Sequence, residues 1–123
     1  MRVFLLFAFI IVAAAANAGT LEKCSKKEKN KAGLASCVQT ESNRSKNMLR
    51  ERNLSAMEAV NKKVQKDGNQ RRLRQYRTDQ ARYVRNRAAT CRKQPVGIKR
   101  QACEADMDYA HIGRLERFIQ KGS

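Results

Sequence analysis

A single histidine, a single proline and six glycines are spread over 123 residues. Any nucleophile–base–orienter triad must run through the lone histidine, His111, and nothing around it has that motif context. The nearby acids Asp106 and Asp108 read as ordinary helix charges. Neither a Gly-rich phosphate cradle nor an H-E-x-x-H pattern occurs, so the chain reads as a non-enzyme with no cofactor. Runs of alternating β-branched residues are also missing, which leaves helix as the secondary structure. Acids are scarce: 11 Asp and Glu stand against 27 Lys and Arg, for a net charge of +16. Such an excess attracts polyanions, whether nucleic acid, anionic lipid head groups or an acidic protein. Its simplest use is to solvate the outer faces of long helices.

One long apolar run is present, in "MRVFLLFAFIIVAAAANAG" at the N-terminus. An early cation, Arg2, precedes an uncharged stretch from Val3 to Ala16 and then Ala16-Asn17-Ala18. This is the pattern of a secretory signal peptide with an A-x-A cleavage site. The run is shorter than the roughly 20 apolar residues of a spanning helix. We therefore expect residues 1–18 to be removed. Residues 19–123 then form one exported domain, periplasmic or secreted, with no transmembrane anchor. Arg2 is the only charge in the leader, so the mature part carries 16 − 1 = +15.

Four cysteines lie in that part: Cys24, Cys37, Cys91 and Cys103. In an oxidising compartment an even count reads as two disulfides. Three connectivities are open; pairing of neighbours, Cys24 with Cys37 and Cys91 with Cys103, is favoured. Gaps of more than ten residues do not match the C-x2-4-C spacing of zinc sites, so no metal is expected.

Punctuation divides the rest. Residues 19–30 are charged and read as irregular. A helical pattern then runs from about Lys31 to Lys66, with Leu34, Val38, Met48, Met57, Val60 and Val64 as its apolar positions. "NLSAMEA" carries a fresh N-terminal signature, Ser55 with Glu58 three residues on, and predicts a break near Asn53. "KDGN" (residues 66–69) predicts a reversal. A second helix follows over about 70–92, and "KQPVG" ends it. A third helix runs from about Lys99 to Gln120, with Ala102, Ala105, Tyr109, Ile112, Leu115 and Ile119 on its apolar side. The expected fold is a small all-α domain of about three helices, an antiparallel hairpin plus a C-terminal helix, stapled by two disulfides.

Two patterns share the second helix. Arg71, Arg72, Arg74, Arg77, Arg82, Arg85, Arg87, Arg92 and Lys93 stand against one acid, Asp79. They form a basic face apart from Arg87. Nucleic acid is disfavoured as its partner, because base-reading or stacking groups do not accompany the charge. The other pattern, in "QARYVRNRAATC", places Gln80, Tyr83, Arg87 and Cys91 on a single stripe. Arg87 is expected to lay its aliphatic stem beside Tyr83 and send its guanidinium to helix carbonyls or to an acid on a neighbouring helix. Gln80 is expected to hydrogen-bond across the interface.

The same spacing, Gln80-x2-Tyr83-x3-Arg87-x3-Cys91, resembles the motif of the LprI-type lysozyme-inhibitor family of small exported bacterial proteins. A cysteine after a short glycine-containing loop (Cys103 after Gly97) and an earlier cysteine pair (Cys24 and Cys37) extend the resemblance over nearly the whole mature chain. Tyr83 stands where the family usually has tryptophan. The resemblance implies a helical protein that binds and inhibits a lysozyme. Charge implies an alternative. Common animal lysozymes are basic, and a +15 protein approaching a cation is repelled at long range. The alternative is a cationic envelope-binding protein, whose partner is anionic lipid, lipopolysaccharide or a cell-wall polymer.

Overall fold

Helix starts and stops follow side-chain chemistry that is partly local and partly remote. The computed structural model describes residues 19–121, so the expected signal peptide, residues 1–18, lies outside the described residues. Four helices follow one another: α1 (Thr20–Lys27), α2 (Lys31–Asp67), α3 (Arg71–Cys91) and α4 (Ile98–Lys121). The fold is all-helical, but with four helices rather than about three.

The additional helix is α1, in the segment expected to be irregular. Eight residues are too few to hold a helix in water by themselves. A remote partner supplies the difference. The backbone N–H and the hydroxyl of Thr20 both donate to Asp106 Oδ1, at 2.8 and 2.7 Å. This satisfies an orphan donor and sets a carboxylate at the positive end of the helix. Further along, the buried Cys24 is bonded to Cys37, which fastens α1 to α2.

Asn30 starts α2 by accepting the Gly33 N–H at 2.7 Å. The helix then continues for 37 residues. The break expected near Asn53 does not occur. Asn53 instead accepts the Tyr76 hydroxyl, at 3.2 Å on its carbonyl and 3.4 Å on its side-chain oxygen. Ala56 and Val60 carry the buried stripe past this point, and Glu58 pairs with Lys62 at 3.0 Å. Ser55 and Glu58 resemble a capping box only where the chain enters a helix. Here, packing on both sides keeps the helix going.

The reversal at residues 66–69 is present. Gly68 has φ 67° and donates to the Val64 carbonyl at 2.7 Å, while Asn69 N–H binds Asp67 Oδ1 at 2.9 Å. That backbone donor holds the Asp67 carboxyl below its usual range. Between α3 and α4 the chain turns at Gly97, φ 115°. The Arg100 guanidinium clasps this connection by donating to the carbonyls of Gln94 and Arg92, at 2.9 and 3.3 Å. The Cys91–Cys103 bond closes it, so both disulfides join the favoured neighbours.

Sequential helices α2, α3 and α4 alternate in direction, so α2 and α4 run parallel, and theirs is the largest interface. At one end Val38 packs with Ala102 and the buried Cys24; at the other, Ala56 and Val60 pack with Leu115, Phe118 and Tyr76. Tyr76 meets Phe118 edge to face, centroids 5.5 Å apart. Full burial of a side chain such as Leu115 is worth about 1.5–3 kcal/mol. Phe118 joins the core although it was not among the expected apolar positions, whereas Met57 is exposed. Among the described residues, no helix is long and apolar enough to cross a membrane.

Candidate functional site

Between the two apolar clusters the core turns polar. The residues responsible come from α2, α3 and α4 at one level. Asp108 of α4 is fully buried. Arg87 of α3 grips it with both arms of its fork, Nε to Oδ1 at 2.8 Å and Nη2 to Oδ2 at 3.2 Å. The Tyr83 hydroxyl donates to Asp108 Oδ1. Ser45 of α2 approaches Oδ2 at 3.3 Å, its hydroxyl also lying 2.9 Å from the Ser42 carbonyl. Arg87 Nη2 further sits 3.4 Å from Glu104 Oε2. A buried carboxylate is tolerable only with such saturation.

The expectation for Arg87 is therefore met by an acid on a neighbouring helix. Asp108, which reads in sequence as a simple helix charge, is the centre of the arrangement. Burial and the Asp108 contact together push the Tyr83 phenol well above its usual range. For Arg87, burial opposes the charge, yet its bond to Asp108 prevails and the guanidinium becomes still harder to deprotonate. Gln80 corrects the remaining expectation for the stripe: its Nε2 is buried but bonds nothing across the interface. Cys91, the last residue of the stripe, is buried in its disulfide.

His111 stacks on Tyr83, ring centroids 3.8 Å apart and planes 5° from parallel. It is 3% exposed, and its Nε2 has no hydrogen-bond partner. Burial lowers its basicity, with the charges of Asp79, Arg114 and Asp108 modifying that effect. Nearby, Tyr109 donates to Glu41 Oε2 at 2.6 Å. Its phenol is pushed up to about 12, by burial first and by Glu41 second. These contacts turn hydrogen-bonding capacity inward and fix the register of three helices.

The outward-facing feature is different. A groove of about 790 Å³ runs between α3 and α4. Arg71, Arg74 and Arg82 line it from α3, and Arg114, Arg117 and Lys121 line it from α4. One acid, Asp79, lies among these six cations, and Arg114 Nη2 already donates to its Oδ1 at 2.5 Å. The basic face read from sequence is therefore divided. Arg71, Arg74 and Arg82 enter the groove. Arg72 pairs with Asp67. Arg77, Arg85, Arg92 and Lys93 are exposed outside the lining. The contribution of α4 was missed, although Arg114, Arg117 and Lys121 recur at spacings of three and four, which places them on one helix face. Among the described residues, no group of three or more His, Cys, Asp or Glu is arranged to hold a metal ion.

Comparisons with protein-family models, with curated proteins and with solved structures return no match to this chain.

Proposed function

We propose that this is an exported cationic binding protein whose α3–α4 groove takes a segment of an anionic polymer or the anionic head group of an envelope component. The observation that carries the reading is the meeting of six cations from two helices on one groove, of which Arg114 alone is bonded to the one acid of the lining, Asp79, leaving five cations with no acid of the lining bonded to them. Cations spread for solubility have no reason to converge; like charges facing across a groove repel, and a bound polyanion relieves that repulsion. The disulfides and the secretory pattern of the leader support export, where envelope polymers are the available polyanions.

The test compares two triple charge reversals in oxidised protein comprising residues 19–123. One carries Arg74→Glu, Arg82→Glu and Arg117→Glu, inside the groove. The other carries Arg77→Glu, Arg85→Glu and Lys93→Glu, outside it. Both change net charge equally. Binding to fluorescent polyphosphate and polygalacturonate is read by anisotropy over a salt series. The wild type should show a log–log salt slope of about −4 if most groove cations displace counterions. The groove variant should lose more than about tenfold in affinity, the outer variant far less. Equal losses would refute the groove as the site.

A second reading is inhibition of a lysozyme, favoured by the neighbour-paired cysteines and the spacing of Gln80, Tyr83, Arg87 and Cys91. Its test is residual activity of several lysozymes on an uncharged small substrate, which avoids masking of an anionic wall by a cation. Saturable inhibition near stoichiometry would establish this reading; its absence across lysozyme types would remove it.

A further inference from the structure

Cleavage after Ala18 leaves Gly19 as the first residue of the mature chain, and a carboxylate from far along the sequence stands against it. Asp106 of α4 uses Oδ1 to accept both the backbone N–H and the hydroxyl of Thr20. Its other oxygen, Oδ2, faces Gly19: a Cβ at that residue would lie 3.0 Å away, and the atoms nearest to it beyond its chain neighbours all belong to Asp106. Any side chain there would press the carboxylate back, whereas the bare Cα lets it close in. Covalent geometry puts the Gly19 nitrogen about 2.5 Å from that Cβ position, and so within about 5.5 Å of Oδ2. The Gly19 carbonyl accepts the Lys23 N–H at 3.0 Å, which anchors the residue at the start of α1.

What stands at that nitrogen depends on processing. In the uncut chain it is a neutral peptide N–H; after cleavage it is an α-ammonium, charged below an ordinary pKa of about 7.7–8.0. We propose that the α-ammonium freed by cleavage pairs with Asp106, so that removal of the leader completes the junction of α1 with α4. The uncut chain then holds α1 less firmly than the mature one. An opposite charge within about 4–6 Å favours the ammonium. Other groups around the same recess bear on the balance. Lys23 of α1 and Arg44 of α2 repel a cation but are exposed, so water weakens their effect. The positive end of α1 also opposes it. Glu41 of α2 adds a second carboxylate, with one oxygen taken by the Tyr109 hydroxyl. Asp106, half-buried and in contact with residue 19, outweighs the opposing charges. The assignment rests on the leader being cut after Ala18 and is independent of the groove.

The experiment starts from the full-length chain in a bacterial host, where mass spectrometry reads the N-terminus of the exported protein. Gly19 is expected; another first residue, or a leader left in place, would overturn the proposal. Oxidised protein beginning at Gly19 is then compared with protein that retains Ala18, which has the same net charge but carries its ammonium one residue further out. Titration of the first α-carbon by NMR reads the pKa of the terminal amine. It should lie about one unit above the ordinary range in the Gly19 form and within that range in the Ala18 form. One unit is a tenfold gain in the folding equilibrium, so the Gly19 form should melt about 5 °C higher near pH 6. Because the folded-state pKa is raised, this gain is full below about pH 7.7 and is lost as pH rises through the folded-state value. Asp106→Asn, which can still accept from Thr20, should abolish both the pKa shift and the difference in Tm, while Glu41→Gln should keep most of each. If Asp106→Asn fails to fold, the Gly19 and Ala18 forms carry the test with Glu41→Gln. An amine pKa in the ordinary range, equal Tm for the two forms, or a shift that disappears in Glu41→Gln would overturn the proposal. Polymer binding, measured separately, decides the groove.

Discussion

Replacing Arg87 by alanine isolates the polar level of the core. The substitution removes two hydrogen bonds to the buried Asp108, at 2.8 and 3.2 Å, and the weaker contact to Glu104. Asp108 keeps Tyr83 and Ser45 as partners but loses its counter-charge. Breaking a buried ion pair from one side costs about 3–5 kcal/mol. The Arg87 side chain is 26% exposed, so water can enter the vacated volume and the lower figure, about 3 kcal/mol, applies. For a domain near one hundred residues each kcal/mol shifts Tm by about 4–8 °C, which places the expected drop near 12 °C or more. Urea and thermal unfolding of the oxidised protein, followed at 222 nm, measure it. Arg87→Lys should fall between, since lysine supplies charge but not a planar fork. A double-mutant cycle with Asp108→Asn should return a coupling above about 1 kcal/mol. A drop of only a few degrees, together with additive losses in the cycle, would refute the claim that this pair organises the core.

Three other perturbations have defined outcomes. Replacing both Cys24 and Cys37 by serine releases a loop spanning a sequence separation of 13, and should cost about 3 kcal/mol, with amide exchange rising first over α1. Gly68→Ala meets no atom within 4 Å, so its cost is the left-handed backbone alone, about 1 kcal/mol in urea melts with no change in slope. His111 has a folded-state pKa below its unfolded value near 6.5, so the unfolded chain binds the proton first. Stability should therefore fall as pH drops through about 6.5, and level off below the folded-state value. In His111→Phe this part of the pH dependence should vanish; an unchanged profile would show that another group produces it.

Local chemistry alone fixed much of this protein. The Asp67-Gly68-Asn69 turn, the stop around Pro95 and Gly97 and the helical periodicity of three segments depend on residues a few positions apart, within the reach of turn geometry and propensity, whereas the cysteine pairing, favoured between neighbours but open among three connectivities in sequence, is chosen by the packing that brings each pair together. The remainder waited on tertiary contacts. Residues 20–27 become helical because Asp106, 86 positions from Thr20, receives the first donors. The chain passes through Asn53 without breaking because Tyr76 and the α4 side chains meet that stretch of α2. Asp106 and Asp108 lie two residues apart on one helix and look alike in sequence, yet one caps α1 and the other is sealed among Tyr83, Arg87 and Ser45. The groove, too, exists only once α3 and α4 lie side by side and bring two sets of cations together. Backbone preferences are properties of neighbouring residues, whereas a charge is completed by whatever partner the packed chain brings within a few ångströms, and only the tertiary structure decides which partner that is.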